Sequence, residues 1–479
     1  MMEKKGYLPQ KERKKILLLS DDIRLPSGVG NMAREIVLNT AHVFNWVNLG
    51  AAQNHKEVGK FFDLSQEINT RTGIEDSYVR LMPSNGYGNP TLLRQLISME
   101  KPDGIFIFTD PRQWIWLFQM EREIRKDMPI IYLNIWDNYP APMYNKDYYN
   151  SCDGLFAISK QTKNINEIVL GDLVKEKIIK YIPHGINEKS FYPVDSSDEK
   201  FQEFKHKVLD GKEYDFIAFY NSRNIRRKQP GDIILSYERF CQKIGKEKAR
   251  KCLLLMHTAS VDENGTNLKQ VRKDLTNPDY CNIKFTDTRF NETQMNYLYN
   301  MADVNILISS NEGWGLSLTE SMMAGTMNIC NVSGGMQDQC RFQDQDGRWL
   351  DLTPEFPSNH RGKYKECGEW VRPVFPASIT LQGSVPTPYI FEDRINVDEV
   401  ADAIKEVYFL SREQRKENGL KGREWATGPE AGFTASIMGE RIIEGCNEVF
   451  NNFSPRPSYE IIKVEGTKEN KVEYSLLDY

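Results

Sequence analysis

Glu312 and Glu320 are the residues whose type and position most directly indicate chemistry. An apolar run over residues 304–308 predicts a short buried strand, and residues 316–324 favour a helix that stops at Gly325. A strand, a loop and a helix in this order present a helix N-terminus, whose first N–H groups lack intrahelical partners and whose dipole favours negative charge. The stretch therefore predicts a phosphate-binding junction.

The two carboxylates lie on opposite sides of that junction. Glu312 is in the loop, whereas Glu320 falls about one turn into the helix, where side chains lean back toward the N-terminus. We expect Glu320 to reach a ribose diol while the helix start holds the attached phosphates, and Glu312 to face the group that the diphosphate carries. Gly313 and Gly315 would let the backbone approach such a ligand without a Cβ. The alternative is an ordinary βαβ unit with two solvated glutamates.

A basic loop follows the first predicted strand of the second half of the chain. Residues 214–220 (YDFIAFY) predict that strand, and the segment NSRNIRRKQPG follows it directly. Arginine offers a planar fork of donors and lysine a mobile charge, so cations here could bind the phosphates of a ligand at that junction. The alternative for Arg226 and Arg227 is solvated surface.

The segment EGWGLSLTE resembles the Glu-x7-Glu signature of family 4 glycosyltransferases, which are retaining, nucleotide-sugar-dependent enzymes of the GT-B fold. The preceding strand and the later segment MNICNVSGG also fit that family. The resemblance spans most of residues 15–455 and is strongest over residues 181–335. It implies an α/β protein of two Rossmann-like, doubly wound parallel-sheet domains that face a central cleft.

The resemblance also implies roles for individual residues. Arg223 and Lys228 match the arginine and lysine that bind the donor diphosphate in that family, and the loop after the predicted strand NIKF lies beside the nucleobase. The implied donor-binding residues are Arg223, Lys228, Thr286, Asp287, Thr288, Glu312, Gly313, Trp314, Gly315, Leu316 and Glu320. The candidate catalytic residues are Glu312, Arg223 and Lys228, which the resemblance implies, and Asp137, which stands where the sequence departs from the family pattern.

Apolar strands alternate with helices over the first half of the chain, which predicts a parallel, doubly wound sheet. Helices are predicted over residues 113–126 and 160–170, and another from Asn31 after the glycine loop at residues 21–30. Ligands of such sheets gather at the carboxyl ends of the strands, although a glycine loop is also compatible with a simple tight turn. The acceptor-side candidates are Gly28, Val29, Gly30, Asp110, Trp136 and Asp137.

One position departs from the family pattern. Family 4 enzymes often carry a histidine near the end of the strand that here reads IWDNYPAPMY, and Trp136 or Asp137 stands at the matching position. Asp137 is a candidate acceptor base or a hydrogen-bond partner for sugar hydroxyls, or an ordinary loop aspartate that caps a turn. His184, in the segment YIPHGINEKSFYP, resembles a residue of the family's crossing between domains and is interpreted as a linker residue.

The chain length of 479 residues predicts two domains. We expect an acceptor-binding domain over residues 1–192 and a nucleotide-sugar-binding domain over residues 193–432, with an insertion at 336–394 near the donor end of the cleft. Residues 433–479 would form a helix that crosses back to the first domain and a tail that alternates like a small hairpin.

Composition narrows the class of protein. The eight cysteines are scattered without a CxxC pair, which favours a reducing cytosol. No apolar stretch approaches the roughly 18–20 residues that a membrane span requires, so a cytoplasmic protein is expected. No Asp-x-Asp cluster stands at a strand end, and neither a metal ion nor a cofactor is expected.

The sequence thus predicts a retaining glycosyltransferase, a hexosyl- or pentosyltransferase that moves a sugar from a nucleoside-diphosphate sugar to an unidentified hydroxyl acceptor. Three alternatives stay open: a viral-type enzyme acting on hydroxymethylated pyrimidines in DNA, a sugar phosphorylase, and a non-catalytic nucleotide-binding protein. A net charge of −5 argues mildly against a nucleic-acid partner. The presence of both glutamates and both predicted cations argues against the non-catalytic protein.

Overall fold

The computed structural model describes residues 6–52 and 55–456. The elements of the first half are β1 (Lys14–Asp21), α1 (Gly28–Thr40), β2 (Phe44–Ala52), β3 (Phe62–Asp63), α2 (Ser65–Thr72), β4 (Val79–Asn85), α3 (Pro90–Glu100), β5 (Gly104–Phe108), α4 (Ile115–Phe118), α5 (Glu121–Ile124), β6 (Ile130–Asn134), α6 (Lys146–Asn150), β7 (Gly154–Ala157), α7 (Lys160–Leu170) and β8 (Ile178–Tyr181). In the described chain these strands form a sheet in the order β3-β4-β2-β1-β5-β6-β7-β8. Its pairs are parallel, apart from the antiparallel contact between β3 and β4.

A second sheet follows. The elements of this part are α8 (Glu199–Val208), β9 (Phe216–Asn221), α9 (Pro230–Ile244), α10 (Lys246–Ala249), β10 (Cys252–His257), α11 (Leu268–Leu275), β11 (Ile283–Phe285), α12 (Glu292–Met301), β12 (Val304–Leu307), α13 (Leu316–Met323), β13 (Met327–Asn331), α14 (Met336–Gln339), β14 (Val371–Val374), β15 (Ser378–Ser384), β16 (Thr387–Arg394), α15 (Val397–Phe409), α16 (Arg412–Thr427) and α17 (Ala435–Asn452). The sheet is parallel, in the order β11-β10-β9-β12-β13-β14, and β15 pairs with β16 as a separate antiparallel hairpin.

Helices cover both faces of the first sheet, which explains its apolar strands. Along β1, Ile16 and Leu18 are fully buried in a cluster that includes side chains of α1 and α17. Leu17 and Leu19 point to the other face and pack with side chains of α3 and α7. The predicted fold class, with two doubly wound parallel sheets, is confirmed.

The strand order reverses between β1 and β5 in the first sheet and between β9 and β12 in the second. In open parallel sheets, ligands bind beyond the carboxyl ends of the strands at such reversals. These two points of the fold therefore position the candidate site.

Most of the predicted helices are found, and α7 has the predicted bounds. The prediction of one helix over residues 113–126 is wrong, because the chain forms a 3-10 turn and two short helices there. Leu117, Phe118 and Met120 are all buried. The break falls at Met120, whose N–H donates to Leu117 O at 2.9 Å, three residues back instead of four, so the α-helical hydrogen-bond pattern ends there.

The segment 336–394 was predicted to be an insertion, but part of it belongs to the second sheet. Strand β14 pairs in parallel with β13 as the last strand of that sheet. It contains Pro373, which cannot donate to a ladder and is tolerated at a sheet edge. The segment that departs from the sheet therefore includes the stretch before β14 and the hairpin of β15 and β16 after it.

The chain crosses between the two sheets twice, and the crossings pair with each other. Ile186 N donates to Phe433 O at 2.9 Å, and Ala435 N donates to Ile186 O at 3.0 Å. A Cβ on Gly185 would lie 2.1 Å from Thr434 O, so only glycine permits this approach. Helix α17 then packs against α1. The predicted tail hairpin lies outside the described residues, and the domain boundaries at 192 and 432 stay predictions.

Candidate functional site

The loop between β12 and α13 has the geometry predicted for a strand, loop and helix junction. Gly315 precedes α13 with a φ of +90°, a conformation that glycine adopts without strain. Gly325, with a φ of +78°, follows the helix as predicted. Trp314 is buried, and its indole N–H donates to Thr319 Oγ1 at 2.9 Å. The first turn of α13 is thereby fixed at the carboxyl edge of the second sheet.

Glu312 is held in this loop by backbone and side-chain contacts. Its carbonyl oxygen accepts from Gly335 N at 3.0 Å, and its Oε1 accepts from Ser309 Oγ at 3.2 Å. A Cβ on Gly334 would lie 2.0 Å from the carbonyl oxygen of Glu312, and Gly334 has a φ of +55°. Two glycines after β13 therefore make room for the backbone that carries Glu312.

Two cations meet at the Glu312 carboxylate. Lys228 Nζ contacts Oε1 directly, and Arg227 Nη1 lies 3.2 Å from Oε2. Arg227 Nη1 also donates to Asn311 O at 2.8 Å. The basic loop after β9 and the acidic loop after β12 thus join at the reversal of strand order.

Arg223, the other predicted cation, is not part of this group. Its side chain is 64% exposed, and its Nε lies 3.3 Å from Asp262 Oδ2. Arg226 is 81% exposed, as expected for solvated surface. The sequence alone does not decide whether Arg227 adds charge to the site or lies on the solvated surface. The run of three basic residues at 226–228 is the local signal for a cation here.

Glu320 lies one helical turn away and has a different partner. Its Oε2 accepts from the hydroxyl of Tyr299 at 2.5 Å, and that hydroxyl accepts from Asn221 Nδ2 at 2.8 Å. Burial raises the pKa of the Glu320 carboxyl. Tyr299, on α12, was not predicted as a site residue, because nothing in the local pattern distinguishes it from a core tyrosine.

The predicted nucleobase loop follows β11. Thr286 is half-buried, with its Oγ1 2.9 Å from His257 Nδ1, whereas Asp287 and Thr288 are exposed. Asp287 Oδ2 accepts from Ser260 Oγ at 2.9 Å. These residues lie at the carboxyl edge of the second sheet, two strands from β9.

On the first domain, the predicted glycine loop is the first turn of α1. The helix begins at Gly28, three residues before the predicted start, because Ser27 Oγ caps it by accepting from Gly30 N at 2.9 Å. A Cβ on Gly30 would lie 2.6 Å from Leu25 O, so this glycine serves a close turn. A Cβ on Gly28 would lie 3.8 Å from the Leu316 side chain at the start of α13. Val29 is half-buried in the same turn.

The remaining acceptor-side candidates differ in their surroundings. Asp110 caps the 3-10 turn after β5 and pairs with Arg112. Trp136 is buried, and its indole N–H donates to Asn138 O at 3.0 Å. Asp137 is half-buried, and burial raises the pKa of its carboxyl, while the positive charges of Arg227 and Lys228 act in the opposite direction. Asp137 therefore lies within electrostatic range of the cations across the cleft.

The backbones of the two domains approach each other beside Asp137. A Cβ on Gly313 would lie 3.0 Å from Ile135 O and 3.0 Å from the Ile158 side chain. The loop that carries Glu312 therefore lies against the carboxyl ends of β6 and β7. His184 is buried nearby, with its ring 5.6 Å from Phe108 and 6.5 Å from Trp314, and burial lowers its pKa to about 3.

A second contact between the domains lies at α14. Asp338 Oδ2 accepts from Lys160 N and from the Tyr181 hydroxyl, both at 2.9 Å. Burial raises the pKa of Asp338 to about 6. The Lys160 ammonium lies 3.7 Å from the centre of the Trp349 ring. This contact joins the start of α7 to the second domain.

Residues 201–351 match the family model described as "Glycosyl transferases group 1". The chain is a glycosyltransferase. The match covers Lys228, Glu312 and Glu320 and ends before the hairpin of β15 and β16. No match was found among curated proteins.

Solved structures share the fold of the whole chain. A glycosyltransferase from Rickettsia africae ESF-5 is 16% identical, with a TM-score of 0.61 over 92% of this chain and 99% of that chain. Anabaena Alr3699/HepE in complex with UDP and glucose is 13% identical, with a TM-score of 0.62 over 91% and 100%. Sucrose-phosphate synthase from Thermosynechococcus elongatus is 16% identical, with a TM-score of 0.61 over 92% and 100%. The fold is that of GT-B glycosyltransferases.

The described residues contain neither a metal-binding cluster nor a membrane-spanning helix. Across residues 6–52 and 55–456, no group of three or more His, Cys, Asp or Glu side chains is placed to hold a metal ion. No helix in the same part of the chain is long and apolar enough to cross a membrane.

Proposed function

We propose that this enzyme transfers a sugar from a nucleoside-diphosphate sugar to a hydroxyl acceptor with retention of anomeric configuration, as family 4 glycosyltransferases do. One observation carries the proposal: Lys228 and Arg227 meet Glu312 beside the start of α13. The second domain (residues 193–432) binds the donor, and the first (residues 1–192) binds the acceptor.

Lys228, Arg227 and the N–H groups at the start of α13 bind the diphosphate. As the bond between the sugar and the diphosphate breaks, negative charge grows on the leaving oxygen, and cations already in place stabilise it. Arg223, exposed and in contact with Asp262 at 3.3 Å, reaches the same diphosphate by a change of rotamer. When the donor binds, its diphosphate thus takes over part of the contact that Lys228 and Arg227 make with the Glu312 carboxylate in the structure.

Glu320 binds the ribose diol, and the loop at residues 286–288 lies beside the nucleobase. Anabaena HepE is bound to UDP and glucose, so uridine nucleotides are the first donors to test. Glu312 faces the sugar, which acquires positive charge as the leaving group departs. Gly313, Trp314 and Leu316 shape the backbone around it.

Asp137 accepts a hydrogen bond from the acceptor hydroxyl. The acceptor oxygen forms the new bond to the sugar carbon, and its proton passes to Asp137 or to the leaving diphosphate. Burial raises the pKa of Asp137, which makes its carboxylate a better proton acceptor. Gly28, Asp110 and Trp136 complete the acceptor side by forming the walls of the cleft.

The proposed reaction needs no metal ion and takes place in the cytoplasm. Diphosphate binding requires no metal ion, because two cations and a helix N-terminus supply the positive charge. The enzyme acts in the cytoplasm, where a reducing medium keeps its eight cysteines as free thiols.

Calorimetric titration with UDP, GDP, ADP and CDP tests the donor site. We expect one of them to bind, Lys228→Gln to weaken it by about tenfold or more, and the matched control Arg226→Gln to leave it unchanged. Once the nucleotide is identified, nucleotide sugars that carry it are offered as donors. Proton NMR of the first sugar anomer released from such a donor by slow hydrolysis then tests retention. Equal affinity in wild type and Lys228→Gln would refute the assignment of the site.

A further inference from the structure

The hairpin of β15 and β16 contacts both domains at the edge of the cleft. The backbone carbonyl of Phe391 on β16 accepts from Asn138 Nδ2 at 2.8 Å and from Asn311 Nδ2 at 2.8 Å. Asn138 follows Asp137 in the first domain, and Asn311 precedes Glu312 in the second. One carbonyl oxygen therefore joins the two loops that carry the proposed acceptor base and the proposed sugar-facing carboxylate.

We propose that Asn138 and Asn311 are a pair of positioning residues, which fix the distance between Asp137 and Glu312 through the Phe391 carbonyl. The inference rests on the proposed function for the roles of the two carboxylates. Neither asparagine needs to touch substrate. Their contribution is the geometry in which acceptor and donor meet, and this geometry depends on a hairpin outside the segment that matches the glycosyltransferase family.

The hydrogen-bonded junction of Asn138, Asn311 and the Phe391 carbonyl is buried. Asn138 is 7% exposed and Asn311 is 6% exposed, so their amide groups have little access to water. A carbonyl oxygen has two lone pairs, and the two asparagines use both. A buried amide that loses its acceptor pays the full desolvation penalty, so the three groups favour one arrangement of the loops.

Each asparagine is also hydrogen-bonded within its own domain. The backbone carbonyl oxygen of Asn138 accepts from the Trp136 indole N–H at 3.0 Å, and the backbone carbonyl oxygen of Asn311 accepts from Arg227 Nη1 at 2.8 Å. Phe391 N donates to Tyr139 O at 2.6 Å. The Phe391 carbonyl is therefore linked through Asn311 to Arg227, the cation beside Glu312, and through Asn138 to the loop that carries Asp137.

Further hydrogen bonds anchor the hairpin to both domains. On the first domain, the Tyr144 hydroxyl donates to Tyr389 O at 3.0 Å, and Arg112 contacts the Thr387 hydroxyl. On the second domain, Gln229 Nε2 donates to Asp393 O at 3.2 Å. The hairpin is therefore bound to both domains and is not an appendage of one of them.

The test compares Asn138→Asp, Asn311→Asp and the double variant, because aspartate keeps the shape of asparagine but removes the amide donor. We expect each single variant to lower kcat about tenfold or more while the nucleotide Kd changes less than threefold. Since both act through one carbonyl, the double variant should resemble the worse single variant. Kinetic effects that multiply, or an equal loss of nucleotide affinity, would overturn the proposal.

Asn282→Asp is the matched control. Asn282 Nδ2 donates to the carbonyl oxygens of Arg250 and Cys252, both at 3.0 Å, at the amino-terminal edge of the second sheet. This variant also loses side-chain to backbone bonds, so it should lower thermal stability and leave kcat unchanged. A comparable loss of kcat in the control would show that general destabilisation explains the effect.

Hydrogen exchange separates this inference from the proposed function. In either asparagine variant, the peptide covering residues 387–394 should exchange at least several times faster than in wild type, whether or not a donor is known. If exchange rises as expected but wild type transfers no sugar, the proposed function fails and the junction stands. If exchange is unchanged, the junction fails even in an active enzyme.

Discussion

The ammonium group of Lys228 is in direct contact with Glu312 Oε1, and both side chains are nearly excluded from solvent, at 13% and 8% exposure. Burial lowers the pKa of Lys228, whereas a carboxylate in contact with the ammonium favours its charged form. The direct contact decides in favour of an ion pair. Glu312 therefore holds Lys228 in place before a diphosphate arrives.

Replacing Lys228 with Met should destabilise the fold. The change removes the closer cation from the buried Glu312 carboxylate, which keeps its contacts with Arg227 and the Ser309 hydroxyl. Breaking a buried pair from one side costs about 3 kcal/mol. The double variant Lys228→Met/Glu312→Gln should recover part of this loss, because no charge is left unpaired. Urea unfolding of both single variants, the double variant and wild type measures the coupling. Additive losses would mean that the two side chains do not interact.

Gly334→Ala should displace the loop of Glu312. The added Cβ would meet the Glu312 carbonyl oxygen at 2.0 Å, and the φ of +55° is unfavourable for alanine. We expect nucleotide binding to weaken at least tenfold, together with a loss of stability of about 2 kcal/mol. Gly231→Ala is the control, because nothing lies within 4 Å of its Cβ position. Wild-type affinity in Gly334→Ala would contradict this packing.

The junction between β12 and α13 was predictable from local sequence. Its apolar run, glycines and helix formers are adjacent in the chain, and so are the signals for α7. The choice between Arg223 and Arg227 was not predictable, since both lie in one polar loop. A 3-10 turn over residues 226–228, followed by Gln229 at a φ of +50°, decides which arginine reaches Glu312.

The hairpin contacts were beyond sequence reasoning for a different reason. Asn138 and Phe391 are separated by 253 positions, and a single sequence carries no signal for one side-chain to backbone bond over that distance. Strand β14 was missed because Pro373 interrupts its apolar pattern. In both cases the tertiary arrangement, and not a local preference, determines the structure.

Glu312 and Glu320 should differ in kinetics. Glu320→Gln removes ribose binding that is similar in ground and transition states, so it should raise the donor KM more than it lowers kcat. Glu312→Gln should mainly lower kcat, by about 10²-fold, because positive charge on the sugar develops only as the bond breaks. Steady-state rates with the identified donor decide between them. The same pattern in both variants would refute this division of roles.

Activity should persist in excess EDTA. Lys228, Arg227 and the start of α13 supply the positive charge that a metal ion would otherwise provide at a diphosphate. Initial rates measured with and without chelator, and again after addition of Mg²⁺ or Mn²⁺, test this. Complete loss in EDTA with recovery on adding metal would mean that a metal ion belongs to the donor site.

Asp338 should make stability depend on pH at the contact between the domains. Its pKa is about 6 in the folded protein, against an ordinary value of 3.8, and burial is the main cause. The groups that face it are the Lys160 amide and ammonium, the Tyr181 hydroxyl and the carboxylate of Asp351. Between these two pKa values the folded state keeps a proton that the unfolded state has released.

The free energy of unfolding should therefore fall as pH rises from about 4 to about 6, by up to about 3 kcal/mol from this group, and then level off. Asp338→Asn removes the titration but keeps an oxygen that accepts from Lys160 N. The variant should lose less stability than wild type across this window and be the more stable protein at pH 7. Asp393, whose pKa burial also raises to about 6, titrates in both proteins, so the difference between their urea midpoints isolates Asp338. Parallel profiles from pH 4 to 7 would show that Asp338 carries no such penalty, because a group that titrates alike in both states leaves stability independent of pH.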